Sequence, residues 1–228
     1  MSNSSSFSMR ETAFAASKGV HSEVDSHPFV KQLFSRSTPI SAQKLRDYIH
    51  GQALYLGAIE EGLASRKLEL QGTQAGRGLY DFFQMIFRAD SCKETVKHLD
   101  QVYNTQRSPA SKAVSDYIAH IQQLTDVRLL CVHAWINMTD ALFGGAMIAR
   151  RLDELFDGQT GSFMRCPKVL DPTLGGGDAM KQARVIMARQ FQPHFDGLGW
   201  TEGDVDAVVA EAKTAFLSVK KIFDDLLK

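Results

Sequence analysis

Residues 127–155, VRLLCVHAWINMTDALFGGAMIARRLDEL, form the longest periodic stretch of the chain. Leu130, Ala134, Met138, Ala141, Gly145, Ile148 and Leu152 follow one another at steps of three or four. Such steps return to one face of a 3.6-residue helix, whereas a strand lines a face at steps of two. The stretch therefore predicts a long helix. The Gly144-Gly145 pair in its middle removes two side chains, which lets the helix bend or another group approach the backbone.

The same period recurs upstream. Ala113, Tyr117, Ile121 and Leu124 form a stripe, with Ser108-Pro109 as the start signal, since proline is favoured in a first helical turn. Residues 92–103 and 79–87 read as further helices. The glycine-rich run 72–78 reads as a break; it has no GxGxxG form and follows no strand, so it has no nucleotide role. Leu45, Ile49, Ala53, Leu56 and Ile59 predict an amphipathic helix capped by Ser41 and ending near Leu63. His27-Pro28 opens a short helical turn over 29–34, where His27 is expected to cap or to lie on the surface. From Glu11 to about His27 the pattern is again helical, with Phe14, Ala15, Val20 and Val24 on a broad apolar stripe interrupted by Gly19.

Downstream, residues 157–174 read as a loop that ends in three glycines, 175–177. Residues 178–195 and 204–227 read as two closing helices. Residues 1–10 are serine-rich and expected to be flexible, and 11–228 are expected to form a single domain. Alternating strand patterns are absent. The reading is an all-α bundle of roughly eight helices with short connections.

Composition narrows the function. The 228 residues hold 26 basic and 26 acidic side chains, so no charge excess points to nucleic acid. Apolar residues make up 44% of the chain, as expected for a soluble globular domain. No apolar run is long enough for a membrane span, and the N-terminus lacks the apolar core of a signal peptide. Cys92, Cys131 and Cys166 are scattered and match no metal-ligand spacing, which favours a reducing, cytoplasmic setting.

Three segments, taken together, resemble the heme oxygenase family. They are GVHSEVDSHPFVKQLF at 19–34, HAWINMTDALFGGAMIARRL at 133–152 and EAKTAFLSVKKIFDDLL at 211–227. They are similar to that family's first, distal and last helices, in the same order and at similar separations. The resemblance implies heme bound between the first helix and a kinked distal helix. It implies an enzyme for which heme b is both cofactor and substrate, with O2 and electrons from an external reductase or ferredoxin. The implied products are biliverdin, carbon monoxide and ferrous iron, and the implied state is a monomer.

Site residues follow from the same resemblance. His21 matches the iron ligand; without the resemblance it reads as a partly exposed helix histidine. Gly144 and Gly145 match the glycine pair that lets the distal backbone approach the heme. Lys18 matches a basic position beside a heme propionate, and Phe216 matches a pocket-wall residue. Trp135, Phe143 and Phe223 are expected in the core or the pocket wall, and His133 as core packing.

The chain also departs from the family pattern. The usual distal aspartate falls on Ala141, with a carboxylate one place earlier at Asp140. One helical step turns a side chain by about 100°, so Asp140 is a candidate oxygen-side acid only if the helix bends differently. Asn137 takes the place of a distal arginine. Gln192 takes the place of a propionate arginine, for which Arg189 or Arg184 could substitute, and Val219 takes the place of an asparagine. These changes leave two readings open: an active heme oxygenase, or a heme-binding protein of the same fold with little turnover. A thiaminase-like reading through Cys131 and a di-iron reading match fewer residues.

Overall fold

The computed structural model describes residues 8–35, 37–156, 158, 160–166, 168–171 and 176–228. Among these residues there is no strand. The helices are α1 (Met9–Asp25), α2 (Pro28–Phe34), α3 (Ala42–Ser65), α4 (Lys67–Gln71), α5 (Gln74–Ile86), α6 (Ala89–Val102), α7 (Lys112–Gln123), α8 (Val127–Met138), α9 (Ala146–Leu155), α10 (Gly176–Ile186), α11 (Gln192–Asp196) and α12 (Val205–Leu227). A π-helical turn, Ala141–Gly145, joins α8 to α9, and another, Met187–Phe191, joins α10 to α11. No helix among the described residues is long and apolar enough to cross a membrane.

The apolar stripes explain the packing. Leu45, Ile49, Leu56, Ile59 and Leu63 of α3 are fully buried, and α3 packs on α6, α7 and α8. Residues 130–138 of α8 are buried on every side, which marks α8 as an interior helix. α12 packs against α7 and α8, and α1 lies along α12. Side chains cap the helices as their types suggest. Ser41 accepts from the Lys44 N–H, Ser111 from Val114 and Asp126 from Arg128, each worth about 1 kcal/mol.

Several sequence expectations need correction. The 127–155 segment is not one helix. Thr139 Oγ1 bonds back to the Trp135 carbonyl at 2.6 Å, and Asp140 Oδ1 accepts from the Ala141 N–H at 2.7 Å. Such side-chain bonds compete with the helical ladder, and the chain passes through a π-helical turn before α9 begins. Residues 178–195 are likewise interrupted by the second π-helical turn. These two breaks, together with the short separate α4, raise the number of helical segments above the expected eight.

The glycine-rich run does not break the helix at 76 or 78, since both residues lie within α5. Gly76 is there because a Cβ would stand 2.1 Å from the Leu70 carbonyl oxygen at the α4–α5 corner. α7 starts at Lys112, capped by Ser111, rather than at Pro109. Met9 and Arg10 belong to α1: Ser8 Oγ and the Arg10 N–H both donate to Asp196. Residues 1–7 and Gly175 lie outside the described residues. The expected 157–174 loop contains a 3₁₀ turn, Thr160–Met164, with Phe163 fully buried. His27 caps α2 through Nδ1, as expected, but is buried against Phe223 rather than on the surface. In α1 the buried residues are Met9, Ala13 and Ser17, while Phe14 and Ala15 are exposed.

Candidate functional site

The exposure of Phe14 has a geometric reason. Seven residues separate it from His21, so both lie on one face of α1. Their ring centroids are 5.7 Å apart. Packing of α1 on α12 brings in Phe216, whose ring lies 5.0 Å from His21. His21 is 35% exposed and its Nε2 stands 3.5 Å from Asp25 Oδ2, one turn on. Lys18 is exposed three residues before His21, on a neighbouring position of the same face. Lys220 of α12 pairs with Glu23 and ties the two helices together beside this face. The result is a partly exposed imidazole between two aromatic rings, with a carboxylate for one ring nitrogen and a cation nearby.

The break after α8 forms the second element. Asp140 is paired with Arg88, whose Nη2 lies 2.5 Å from Asp140 Oδ1 and 2.6 Å from the Asn137 carbonyl oxygen. Arg88 Nη1 also meets the Met164 sulfur at 3.0 Å. The Arg88 side chain is 2% exposed. Burial pulls it toward neutrality, but the facing Asp140 more than offsets that pull, so it stays charged. The Arg88 backbone is fixed as well: Glu60 of α3 accepts from the Arg88 and Ala89 N–H groups at 2.8 and 2.9 Å, closing the start of α6. Arg88 and Glu60 escaped the sequence reading. Their only trace is an arginine directly after the aromatic run 79–87.

Asn137 is buried with both amide hydrogens used, one on Tyr117 Oη at 2.7 Å and one on the His133 carbonyl at 2.9 Å. His133 is buried as expected, but it is no mere packing residue: Nδ1 lies 2.9 Å from Tyr117 Oη. Ala141 is buried.

The two glycines differ. A Cβ on Gly144 would meet nothing within 4 Å, whereas one on Gly145 would stand 2.8 Å from the Met164 carbonyl oxygen. Gly145 is thus a packing glycine, and Gly144 opens onto free space. Gly145→Ala is expected to cost about 1–3 kcal/mol. Gly144→Ala is expected to leave the melting temperature unchanged or slightly raised. Thermal unfolding of both variants checks this, and equal losses would contradict the distinction.

The remaining candidates are spread out. Arg189 is exposed on the second π-helical turn, and Arg184 is exposed on α10. Gln192 donates to Ser8 and Glu11, so it ties α11 to α1. Trp135, Phe216 and Phe223 are buried, and Phe143 packs partly buried against the core. Cys131 is fully buried, and burial pushes its thiol upward, far from the pKa of a reactive nucleophile. That removes the main support for a thiaminase-like site.

The residues present fit a flat, apolar, iron-centred group. An imidazole is available for the metal, aromatic rings flank it, and a side-chain-free backbone faces open space at Gly144.

Comparison with solved structures agrees in fold. The heme oxygenase of Leptospira interrogans is 19% identical, with a TM-score of 0.77, over 96% of this chain and 100% of that one. Heme oxygenase-1 of the cyanobacterium Synechocystis sp. PCC6803, solved in complex with heme, is 17% identical with a TM-score of 0.73, over 96% and 92% of the two chains. Heme oxygenase-2 of the same organism, in complex with heme and NO, is 14% identical with a TM-score of 0.76, over 96% and 85%. No curated protein sequence matches the chain. The family model for heme oxygenase matches residues 11–225, nearly the full length, and with the shared helical fold this means that the chain belongs to the heme oxygenase family.

Proposed function

We propose that this protein is a heme oxygenase that cleaves heme b to biliverdin, carbon monoxide and ferrous iron. The observation that carries the reading is the partly exposed His21 imidazole set between Phe14 and Phe216, in a chain of this family. Heme, as substrate, supplies the iron at which O2 is activated and the ring that is cut, with electrons from an external reductase or ferredoxin.

His21 is the proposed iron ligand. A neutral imidazole has one lone pair, so the other ring nitrogen carries a proton and needs an acceptor. Asp25, one turn on along α1, is the proposed acceptor. Lys18, and Arg189 on the opposite side of the sequence, are proposed to pair with propionates; a fixed cation sets the orientation of the ring as well as its affinity. Gly144 leaves room for a diatomic ligand, and Gly145 holds the bend against Met164. Asp140, with Asn137 behind it, is the proposed oxygen-side acid. Phe216 excludes water from the ligand side. The working protein is expected to be a cytoplasmic monomer.

The decisive experiment is reconstitution with heme, followed by reductant and O2 or a competent reductase. Loss of the heme spectrum with appearance of a bilin and carbon monoxide is expected. Tight binding without bilin would instead support the second reading, a heme-binding protein with little turnover. A specific observation favours that alternative: Asp140 Oδ1 is held by Arg88 and Ala141, and Ala141 brings no polar group to the break. Gly144→Ala is expected to weaken heme binding at unchanged stability.

A further inference from the structure

A cluster of ligand-type side chains lies apart from the His21 face. Its members are His120 of α7, His133 of α8 and Glu211 of α12. Both histidines turn Nε2 toward the same oxygen, Glu211 Oε2, at 2.7 Å from His120 and 2.8 Å from His133. Their ring centroids are 5.3 Å apart, and the ligand atoms all lie within 4.8 Å of one another. We propose that these three residues bind one divalent transition-metal ion, of which Zn2+ is the type, and so staple α7, α8 and α12.

The donor set selects the class of ion. Two imidazoles and one carboxylate suit Zn2+ and its first-row neighbours, whereas Ca2+ and Mg2+ take oxygen ligands. Three ligands leave a fourth position for water. The burial is graded to match: His133 is fully buried, while Glu211 and His120 reach solvent and provide an entry path. Burial pulls the His133 imidazole below its ordinary value, which keeps it neutral and able to offer a lone pair. Burial pushes Glu211 up, but the bonds from His133 and His120 outweigh it, so the group stays a carboxylate.

A partner behind the first ligand is already in place. Tyr117 Oη lies 2.9 Å from His133 Nδ1 and also accepts from Asn137 Nδ2. With Nε2–H donating to the Glu211 carboxylate, His133 Nδ1 accepts from the Tyr117 hydroxyl. An ion that takes Nε2 displaces its proton and moves the ring to the Nδ1–H tautomer, for which Tyr117 Oη is the acceptor, the arrangement usual for a ligating histidine. The present contacts have hydrogen-bond length. Ligands about 2.0–2.1 Å from a tetrahedral ion stand roughly 3.3 Å apart, so Glu211 must retreat by about half an ångström and the two imidazole nitrogens, now within 4.8 Å of each other, must settle at that same spacing. Because the chain of bonds ends at Asn137, whose carbonyl holds Arg88, the ion would also brace the break after α8.

Neither His120 nor Glu211 takes part in the proposed heme chemistry, so the test uses the heme-free full chain. Zn2+ is titrated calorimetrically and Co2+ by its visible absorption. The expected result is one ion per chain, tetrahedral Co2+ bands, and a Zn2+-dependent rise in melting temperature. His120→Ala, at a partly exposed position that tolerates truncation, should weaken binding at least about tenfold and abolish the thermal shift, as should Glu211→Gln. His21→Ala should leave all three signals intact. Absence of saturable binding, binding that survives His120→Ala, or binding lost in His21→Ala would each overturn the proposal.

Discussion

Replacing His21 with alanine is expected to abolish bilin formation and lower heme affinity by about 100-fold or more, since losses even in the shell behind a metal ligand cost about 10–100-fold. The fold should be unaffected. His21 is 35% exposed and its polar partner is Asp25 on the same helix, so the stability change should stay within about 0.5 kcal/mol. The absorption spectrum of the complex should lose its histidine-ligand features, and added imidazole should restore them by occupying the vacated space. A spectrum unchanged by the substitution would reject His21 as the ligand. Restoration of the spectrum without turnover would place further chemical demands on the α1 face.

Arg88→Met is expected to have the largest effect on stability, a loss of about 3 kcal/mol. Methionine preserves much of the aliphatic volume but removes the charge and the guanidinium bonds to Asn137, Asp140 and Met164. The Asn137 carbonyl then loses its charged donor, and Asp140 loses its counter-ion. Breaking a fully buried pair costs about 3–5 kcal/mol; the lower end applies here because Asp140 reaches solvent. The consequence should be local as well as global. Hydrogen exchange should accelerate at Ala141–Gly145, whose π-helical turn begins beside Asp140. Chemical denaturation together with exchange measurements checks both parts, and a variant as stable as the parent would contradict them. Under the proposed function, bilin formation should also fall, because the Gly144 backbone would no longer be held in one position.

These two residues show different degrees of legibility. His21 became a candidate only through the three-segment resemblance, since its own segment, GVHSEVDSHPF, read alone gives a partly exposed helix histidine. Of the apolar stripe expected on α1, Val20 and Val24 pack against the core, but Phe14 is exposed beside His21. Apolar character alone does not tell a core face from a face that receives a ligand, and Met9, Ala13 and Ser17 supply the true core contact. Arg88 gave no comparable signal. Its partners Asn137, Asp140 and Met164 are 49, 52 and 76 residues away, and charge pairing at that range leaves no period to read.

The Gly144-Gly145 pair shows the same division. Its presence marks a special backbone, but only the packing of the Met164 carbonyl separates the glycine that is sterically required from the one that faces open space. The three cysteines, too, acquire meaning only through burial. Burial pushes Cys92 up to about 12 and Cys166 up to about 11, and also raises Cys131, so none has the character of a reactive thiolate.

The sequence by itself determined the all-helical class, most of the helix positions and the Ser41 and His27 caps, because periodicity and capping are local properties of the chain. The tertiary structure alone decided where the long 127–155 segment breaks, which glycine is packed, how Asp140 is held, and that His120, His133 and Glu211 meet. The break itself lies in local bonds of Thr139 and Asp140 that compete with the helical ladder, while the others depend on groups distant in sequence meeting, and such meetings are fixed by how the helices pack rather than by the spacing within any one of them.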